Sequence, residues 1–346
     1  MTCALKRKLI SRIVLLGGIF LPAFFVFQMV WMPGKSWAGK LPPLSFGERR
    51  IQSGLKEHVE ALAGRIGERN IKTPGSLDKS AEYIASAFRS YGYHVRSQWF
   101  EVNGERVRNL EVELPGDFHP RDVIVVGAHY DSVDNCPGAN DNASGIAGML
   151  ELARIFAHSK PECTLRFAAF VNEEDPYFAT DDMGSVRYAK LCRERADRVK
   201  AMISIETIGY HTDTEGSQKF PPGFGLGYPH TGNFIWFVGN ESSRDLVRHA
   251  IAVFRKNAEF PAYGAAAPEW IDGIDWSDQY YFWKLGNPGF MVTDSAPYRY
   301  PHYHKASDTP DQINYSACAR IVDGLKTIIT DLAVLKKPES QLARRL

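Results

Sequence analysis

From Asp122 onward, short and nearly continuous apolar runs alternate with segments of helical periodicity, a pattern that few architectures accept. The runs are DVIVVGAH (122–129), TLRFAAFVN (164–172), AMISIE (201–206), NFIWFVGN (233–240) and GFMVT (289–293). Between and after them, Ala143–Phe156, Val186–Arg195, Arg244–Lys256 and Ser316–Leu335 carry helical spacing. Strands apolar on both faces need helices on both faces. The expected fold is therefore α/β: a mixed, largely parallel central sheet flanked by helices on both sides. Ahead of this region, Glu48–Ile66 and Ser76–Tyr91 read as amphipathic helices, and Tyr93–Val102 and Val107–Leu114 as strands.

In open sheets of this kind, ligands collect at the carboxyl ends of the strands. His129 closes the first run, Glu173 and Glu174 follow the second, Glu206 closes the third, and His304 stands shortly after the last. Asp141 lies in the loop HYDSVDNCPGANDNASG, just before a helix. Each has a plain reading when taken alone. Asp141 suits a helix N-cap, His129 a hydrogen-bonded strand end, and Glu173-Glu174 a solvated strand terminus. Taken together they put imidazoles and carboxylates at four strand ends on one rim. That donor set, free of thiolate, suits zinc or, less selectively, manganese or cobalt.

The pieces HYDSV, GANDNASG, FVNEE, ETIG and HYHKASDT, in this order, resemble the cocatalytic di-zinc exopeptidase family of bacterial leucyl aminopeptidases, glutamate carboxypeptidase and glutaminyl cyclases. The resemblance covers roughly residues 55–335. It implies two zinc ions, one held by His129 and Glu206, the other by Glu174 and His304, with Asp141 bridging. It makes Glu173 the general base and Asp131 the carboxylate that orients the His129 imidazole. His302 competes with His304 for the ligand position, and the HxxxDT spacing favours His304; Asp308 then organises that loop or caps a helix.

The sequence departs from the family pattern in three places. Glu206 stands where the family usually has Asp, and its extra methylene bears on that metal position. The segment DPYFATDDMGSVRYA after Glu174 is longer than the usual turn, leaving Tyr177 and Phe178 either over the site or packed beneath the loop. WSDQ (276–279) replaces SDH, which leaves Asp278 a residue of the site's rim. Cys136 reads as structural, not as a ligand. Of the aromatics Tyr280, Tyr281, Phe282, Trp283, Tyr298 and Tyr300, a specificity pocket or the core can claim each.

The implied activity is metal-dependent exopeptidase action, foremost a di-zinc aminopeptidase acting on peptide or aminoacyl substrates. A glutaminyl cyclase, a carboxypeptidase and a non-catalytic anchored binding ectodomain are the alternatives. A net charge of +1 gives no pull toward nucleic acid. Five cysteines without CxxC spacing exclude a disulfide-framed small domain.

Lys6, Arg7, Lys8 and Arg12 precede the uncharged run Ile13–Met32, which is long enough to cross a bilayer. The expected organisation is a cytoplasmic basic N-terminus (1–12), a transmembrane anchor (13–32), a linker (33–45), the catalytic domain (46–338) and a tail (339–346). The basic flank sends the domain out of the cytoplasm, to the periplasm or cell exterior. A signal peptide cleaved near Ser36-Trp37-Ala38, giving a secreted enzyme, is the competing reading.

Overall fold

The computed structural model describes residues 24–333. Its centre is an 8-stranded sheet with the order β1-β2-β4-β3-β5-β8-β6-β7. These strands are β1 (Arg96–Val102), β2 (Glu105–Leu114), β3 (His119–His129), β4 (Cys163–Phe170), β5 (Arg198–Ile205), β6 (Ile235–Gly239), β7 (Ala262–Ala266) and β8 (Gly289–Thr293). The inner four, β4, β3, β5 and β8, run parallel. The sheet reverses on both flanks, where β2 pairs antiparallel with β4 and β6 antiparallel with β8.

The helices are α1 (Phe46–Val59), α2 (Ser76–Ser90), α3 (Gly145–Phe156), α4 (Gly184–Glu194), α5 (Arg244–Asn257), α6 (Gln279–Lys284), α7 (Ala296–Arg299) and α8 (Tyr315–Ala333). Alternation along β3 feeds two cores. Ile124, Val126 and Ala128 enter the larger one with α1, α2, α3, α5 and α8. Val123 and Val125 meet Tyr188 and Cys192 of α4 and Phe282 of α6 on the other face. Gly127 is required where β3 passes Phe170, because a Cβ there would lie 2.3 Å from that ring. Three elements are not visible in the sequence pattern, the single-turn α7 among them. The strand β7, AYGAA, is made of small residues without β-branching, and α6 hides in the aromatic run QYYFWK.

The N-terminal boundary also differs from expectation. Residues 24–30 are helical, and Met29 and Met32 are buried against the domain. Arg248 donates to the carbonyls of Gln28 (3.0 Å) and Trp31 (3.3 Å). Arg255 donates to the carbonyls of Met32, Pro33 and Gly34, and Ser36 Oγ accepts the amide of Ala262 on the edge strand β7. The apolar run thus joins the domain before Met32, and the start of the expected linker lies along it. No described helix is long and apolar enough to cross a membrane. Residues 1–23 and the expected tail 339–346 lie outside the described residues.

A fully buried arginine fixes the loop that leads into the candidate site. Arg69 donates Nε to Tyr130 O (2.8 Å), Nη1 to Gly67 O (2.8 Å) and Pro137 O, and Nη2 to Gly138 O (2.8 Å). Replacing it strands buried carbonyls, so Arg69→Met should cost about 3 kcal/mol in urea denaturation. Arg69→Lys should recover only part, since an ammonium cannot span this fork of acceptors.

Candidate metal centre

The parallel order of β4, β3, β5 and β8 brings the four predicted strand ends side by side. His129 Nε2 lies 2.9 Å from Glu206 Oε2 and 3.3 Å from Asp141 Oδ1. Asp141 Oδ2 lies 3.2 Å from His304 Nε2, which is 3.3 Å from Glu174 Oε2. His129, Asp141 and Glu206 form one group with ion-ligating spacing, and Asp141, Glu174 and His304 form a second. Asp141 belongs to both. Glu173 stands beside them, its Oε2 3.8 Å from His129 Nε2.

Backbone donors hold these side chains in place. Asp131 accepts the amides of Glu173 and Glu174, each at 3.1 Å, just after Asn172 turns the chain through the left-handed region at φ 59°. That turn lets both adjacent glutamates face the cluster. Asp131 Oδ1 is also 3.5 Å from His129 Nδ1, so its firmest bonds are to the Glu-Glu backbone. Asp308 accepts the amides of Asn140 (2.8 Å) and Asp141 (3.1 Å) and the hydroxyl of Tyr300 (2.7 Å). It ties the loop carrying His304 to the loop carrying Asp141.

The helix-capping role open to Asp141 falls instead to its neighbour. Asn142 Oδ1 accepts Gly145 N at 2.9 Å, at the start of α3, and its Nδ2 donates to Glu206 Oε2 at 2.9 Å. Asp141 is thereby free to face the cluster. Asn140 and Asp294, neither singled out in the sequence, lock the ends of β5 and β8. Asn140 Nδ2 donates to Asp294 (3.1 Å) and Thr207 (3.1 Å), while Asp294 accepts Thr207 Oγ1 (2.6 Å) and Tyr210 N (2.7 Å). The repeated Asn in GANDNASG was the available signal for these roles.

The electrostatics call for cations. Burial pushes Glu206 up to about 8 and Glu174 up to about 7, with Asp141 adding repulsion in each case. Burial, with Glu206 and Glu174 nearby, holds Glu173 well above the ordinary carboxylate range against the pull of His129. Burial works against His304, but Asp141 and Glu174 raise it to about 10. Burial also pushes Asp141 upward, and the imidazoles of His129 and His304 overcome it and draw that carboxyl down. His129 Nε2, Asp141 Oδ1 and Glu174 Oε1 are buried without a hydrogen-bond partner. Unpaired nitrogen and carboxylate donors converging on shared points, with negative charge in excess, fit divalent ions of the zinc type. Glu206, despite its extra methylene, reaches the same group of donors as Asp141 and His129.

His302 bonds Ser307 (2.8 Å) away from the cluster, whereas His304 enters it with its ring stacked on Tyr303. Asp278 is fully buried behind the site, not at its rim, and burial raises it to about 7. Cys136 is buried outside both ligand groups, and burial lifts its thiol to about 12. Tyr177 and Phe178 divide the roles offered to them. Tyr177 packs against the core, while Phe178 lines the cleft over the cluster with Trp276 and Tyr303.

Beside that cleft, and sharing Glu206, Trp276 and Tyr303 with it, lies an apolar pocket. Phe220, Phe224, Trp236 and Tyr298 line it. Of the aromatics named in the sequence only Tyr298 contributes. Phe282 and Trp283 are core, and Tyr300 serves Asp308.

A mixed sheet whose parallel centre gathers imidazoles and carboxylates on its carboxyl edge is an α/β scaffold for a metal centre. The chain belongs to Peptidase family M28, whose model matches residues 109–329. It is 35% identical to YfbL of Escherichia coli K12 over 334 residues, 93% of this chain and 98% of that protein. Leucine aminopeptidase 2 of Trichophyton rubrum is 31% identical over 179 residues, 48% of this chain and 35% of that protein. The chain therefore spans about a third of that relative's length. The fold is shared with BSAP, a zinc aminopeptidase from Bacillus subtilis, at TM-score 0.67 and 16% identity, covering 86% of this chain and 98% of that one. It is also shared with a Bacteroides thetaiotaomicron glutaminyl cyclase at TM-score 0.62 and 15% identity, covering 81% and 97%.

The proton inventory sets a pH dependence for the metal-free protein. Glu174, Glu206 and His304 have folded-state values above their ordinary 4.5, 4.5 and 6.5. The native state therefore holds protons that the unfolded chain has released, and this contribution to stability is lost as pH rises through about 7, 8 and 10. Chelated protein should melt progressively lower from about pH 5 to about pH 9. Added zinc should restore the melting temperature most at the alkaline end, where it displaces fewest protons. His304→Ala should lose bound metal by elemental analysis, and His302→Ala should retain it.

Proposed function

We propose that the chain is a di-zinc aminopeptidase releasing N-terminal residues with apolar side chains from peptides. His129 and Glu206 would hold one ion, Glu174 and His304 the other, and Asp141 would offer one oxygen to each. Bound there, zinc would polarise the scissile carbonyl and make a water nucleophilic near neutral pH. Glu173 receives the proton of the attacking water on a carboxylate oxygen and returns it to the leaving amine nitrogen as the C–N bond breaks. Asp131 holds the Glu173 and Glu174 amides and so keeps base and ligand in one orientation.

The observation that carries an amino- over a carboxypeptidase is the charge of the cleft. Asp141, Glu173, Glu174, Asp175 and Glu206 line it together with Phe178, Trp276, Tyr303 and His304, and its described lining contains no arginine or lysine. With Asp141, Glu174 and Glu206 engaged on metal, Glu173 and Asp175 remain to face an ammonium terminus, and the described lining has no cationic side chain to clamp a terminal carboxylate. The adjoining pocket, walled by Phe220, Phe224, Trp236, Met291 and Tyr298, suits the side chain of that first residue. Two ligand groups sharing Asp141, with Glu173 alongside, support hydrolysis over a single-metal cyclisation and over a purely binding role.

We further infer that the run beginning at Ile13 tethers the enzyme to a membrane, with the basic residues Lys6, Arg7, Lys8 and Arg12 on the cytoplasmic side and the catalytic domain on the other.

The holoenzyme should bind two zinc ions per chain and cleave leucyl and phenylalanyl arylamides while leaving their N-acetylated forms intact. One zinc with cyclisation of N-terminal glutamine would overturn the reading in favour of a cyclase. Glu173→Gln should lower kcat by about 10³-fold or more with metal content unchanged. Loss of metal in that variant would make Glu173 a ligand instead of the base.

A further inference from the structure

Large apolar side chains stand exposed in one area around the helical segment 24–30. Phe24, Phe25, Val26, Phe27 and Trp31 project from it or follow it. Leu226 (85% exposed) and Trp270 (80% exposed) stand on two loops that form a groove with Val26, Met29 and Val30. Monomeric proteins rarely expose so many large apolar groups in one place unless something covers them. The groove is also the back of the substrate pocket. Pro221, Phe224, Ile271 and Asp272 line both.

The chain itself indicates what covers this surface. The uncharged run from Ile13 ends at the patch, and because Arg248 and Arg255 hold Gln28 to Gly34 on the domain, only about 15 residues, Ile13 to Phe27, are left to cross lipid. As a helix, about 15 residues span about 22 Å, against a hydrocarbon core of about 30 Å. A segment that short draws its flanks into the bilayer surface. The flank here is the domain face bearing Leu226, Trp270 and Trp31, with tryptophans where interfacial anchors are favoured.

We propose that the catalytic domain rests on the bilayer through this patch, with Leu226 and Trp270 in the headgroup layer beside Trp31, where the run leaves the lipid. The apolar pocket beside the metal centre then lies one loop's thickness from lipid. The proposal rests on the tether inferred above and is independent of the aminopeptidase reading.

The test uses the full chain carrying Cys3→Ser; the remaining cysteines, Cys136, Cys163, Cys192 and Cys318, are buried. Leu226→Cys, Trp270→Cys or, on the hairpin at the opposite edge of the sheet, Glu105→Cys is labelled with nitrobenzoxadiazole. Each protein is reconstituted into phosphatidylcholine vesicles with or without phosphatidylcholine spin-labelled near its carbonyl. The vesicles should carry the protein upward in a density gradient, and spin-labelled lipid should quench the label at 226 and 270 several-fold more than at 105. Flotation with equal quenching at all three sites would leave the tether standing and overturn the surface contact. Labels at 226 and 270 shielded from both spin-labelled lipid and aqueous iodide would mean that a second copy covers the patch, and would also overturn it. Failure to float would overturn tether and contact together, and none of these outcomes bears on catalysis.

Discussion

Mutual repulsion among buried carboxylates governs this molecule. Asp141, Glu173, Glu174 and Glu206 occupy one poorly solvated corner with only the imidazoles of His129 and His304 to oppose them. Like charges so placed either bind protons or bind cations. The upward displacement of Glu174 and Glu206 is the proton solution, and a bound divalent cation of the zinc type is the other. Everything around the corner serves to hold the acids there despite their repulsion.

The means is a set of hydrogen bonds to the backbone behind the cluster. Asp131 and Asp308 do not face the reaction. Each spends both oxygens on backbone amides, Asp131 on Glu173 and Glu174, Asp308 on Asn140 and Asp141. Asn142 caps α3 and steadies Glu206 with the same side chain. Arg69, fully buried, is directed at carbonyls of the 130–138 loop. The 130–138 loop is thus stiffened by hydrogen bonds to its own carbonyls.

The sequence made the central fold legible because burial on both faces leaves continuous apolar runs, and the parallel order of β4, β3, β5 and β8 follows from alternation with helices. It made His129, Glu173, Glu174 and Glu206 legible because strand ends need no long-range information to be placed on one rim, whereas Asp141 and His304, in loops, were legible through the motifs GANDNASG and HYHKASDT. What it hid depended on packing. AYGAA gives little propensity for β7, which is a strand because β6 and Ser36 supply partners. The pocket aromatics Phe220, Phe224 and Trp236 come from a loop and an antiparallel strand far from any motif. Asn140 and Asp294 are separated by more than a hundred residues and acquire meaning only when β5 and β8 lie side by side. The N-terminal boundary was hidden for a related reason, since an apolar residue such as Met29 reads alike whether lipid or a protein core covers it.

The cysteines carry a different consequence. Cys136, Cys163, Cys192 and Cys318 are buried and unpaired, and burial raises each thiol above its ordinary range. Thiol–disulfide exchange proceeds through the thiolate, so these groups are poor reactants in the native state. This native arrangement therefore assembles without an oxidative folding catalyst, and once assembled it keeps its sulfur out of reach of whatever redox buffer surrounds it.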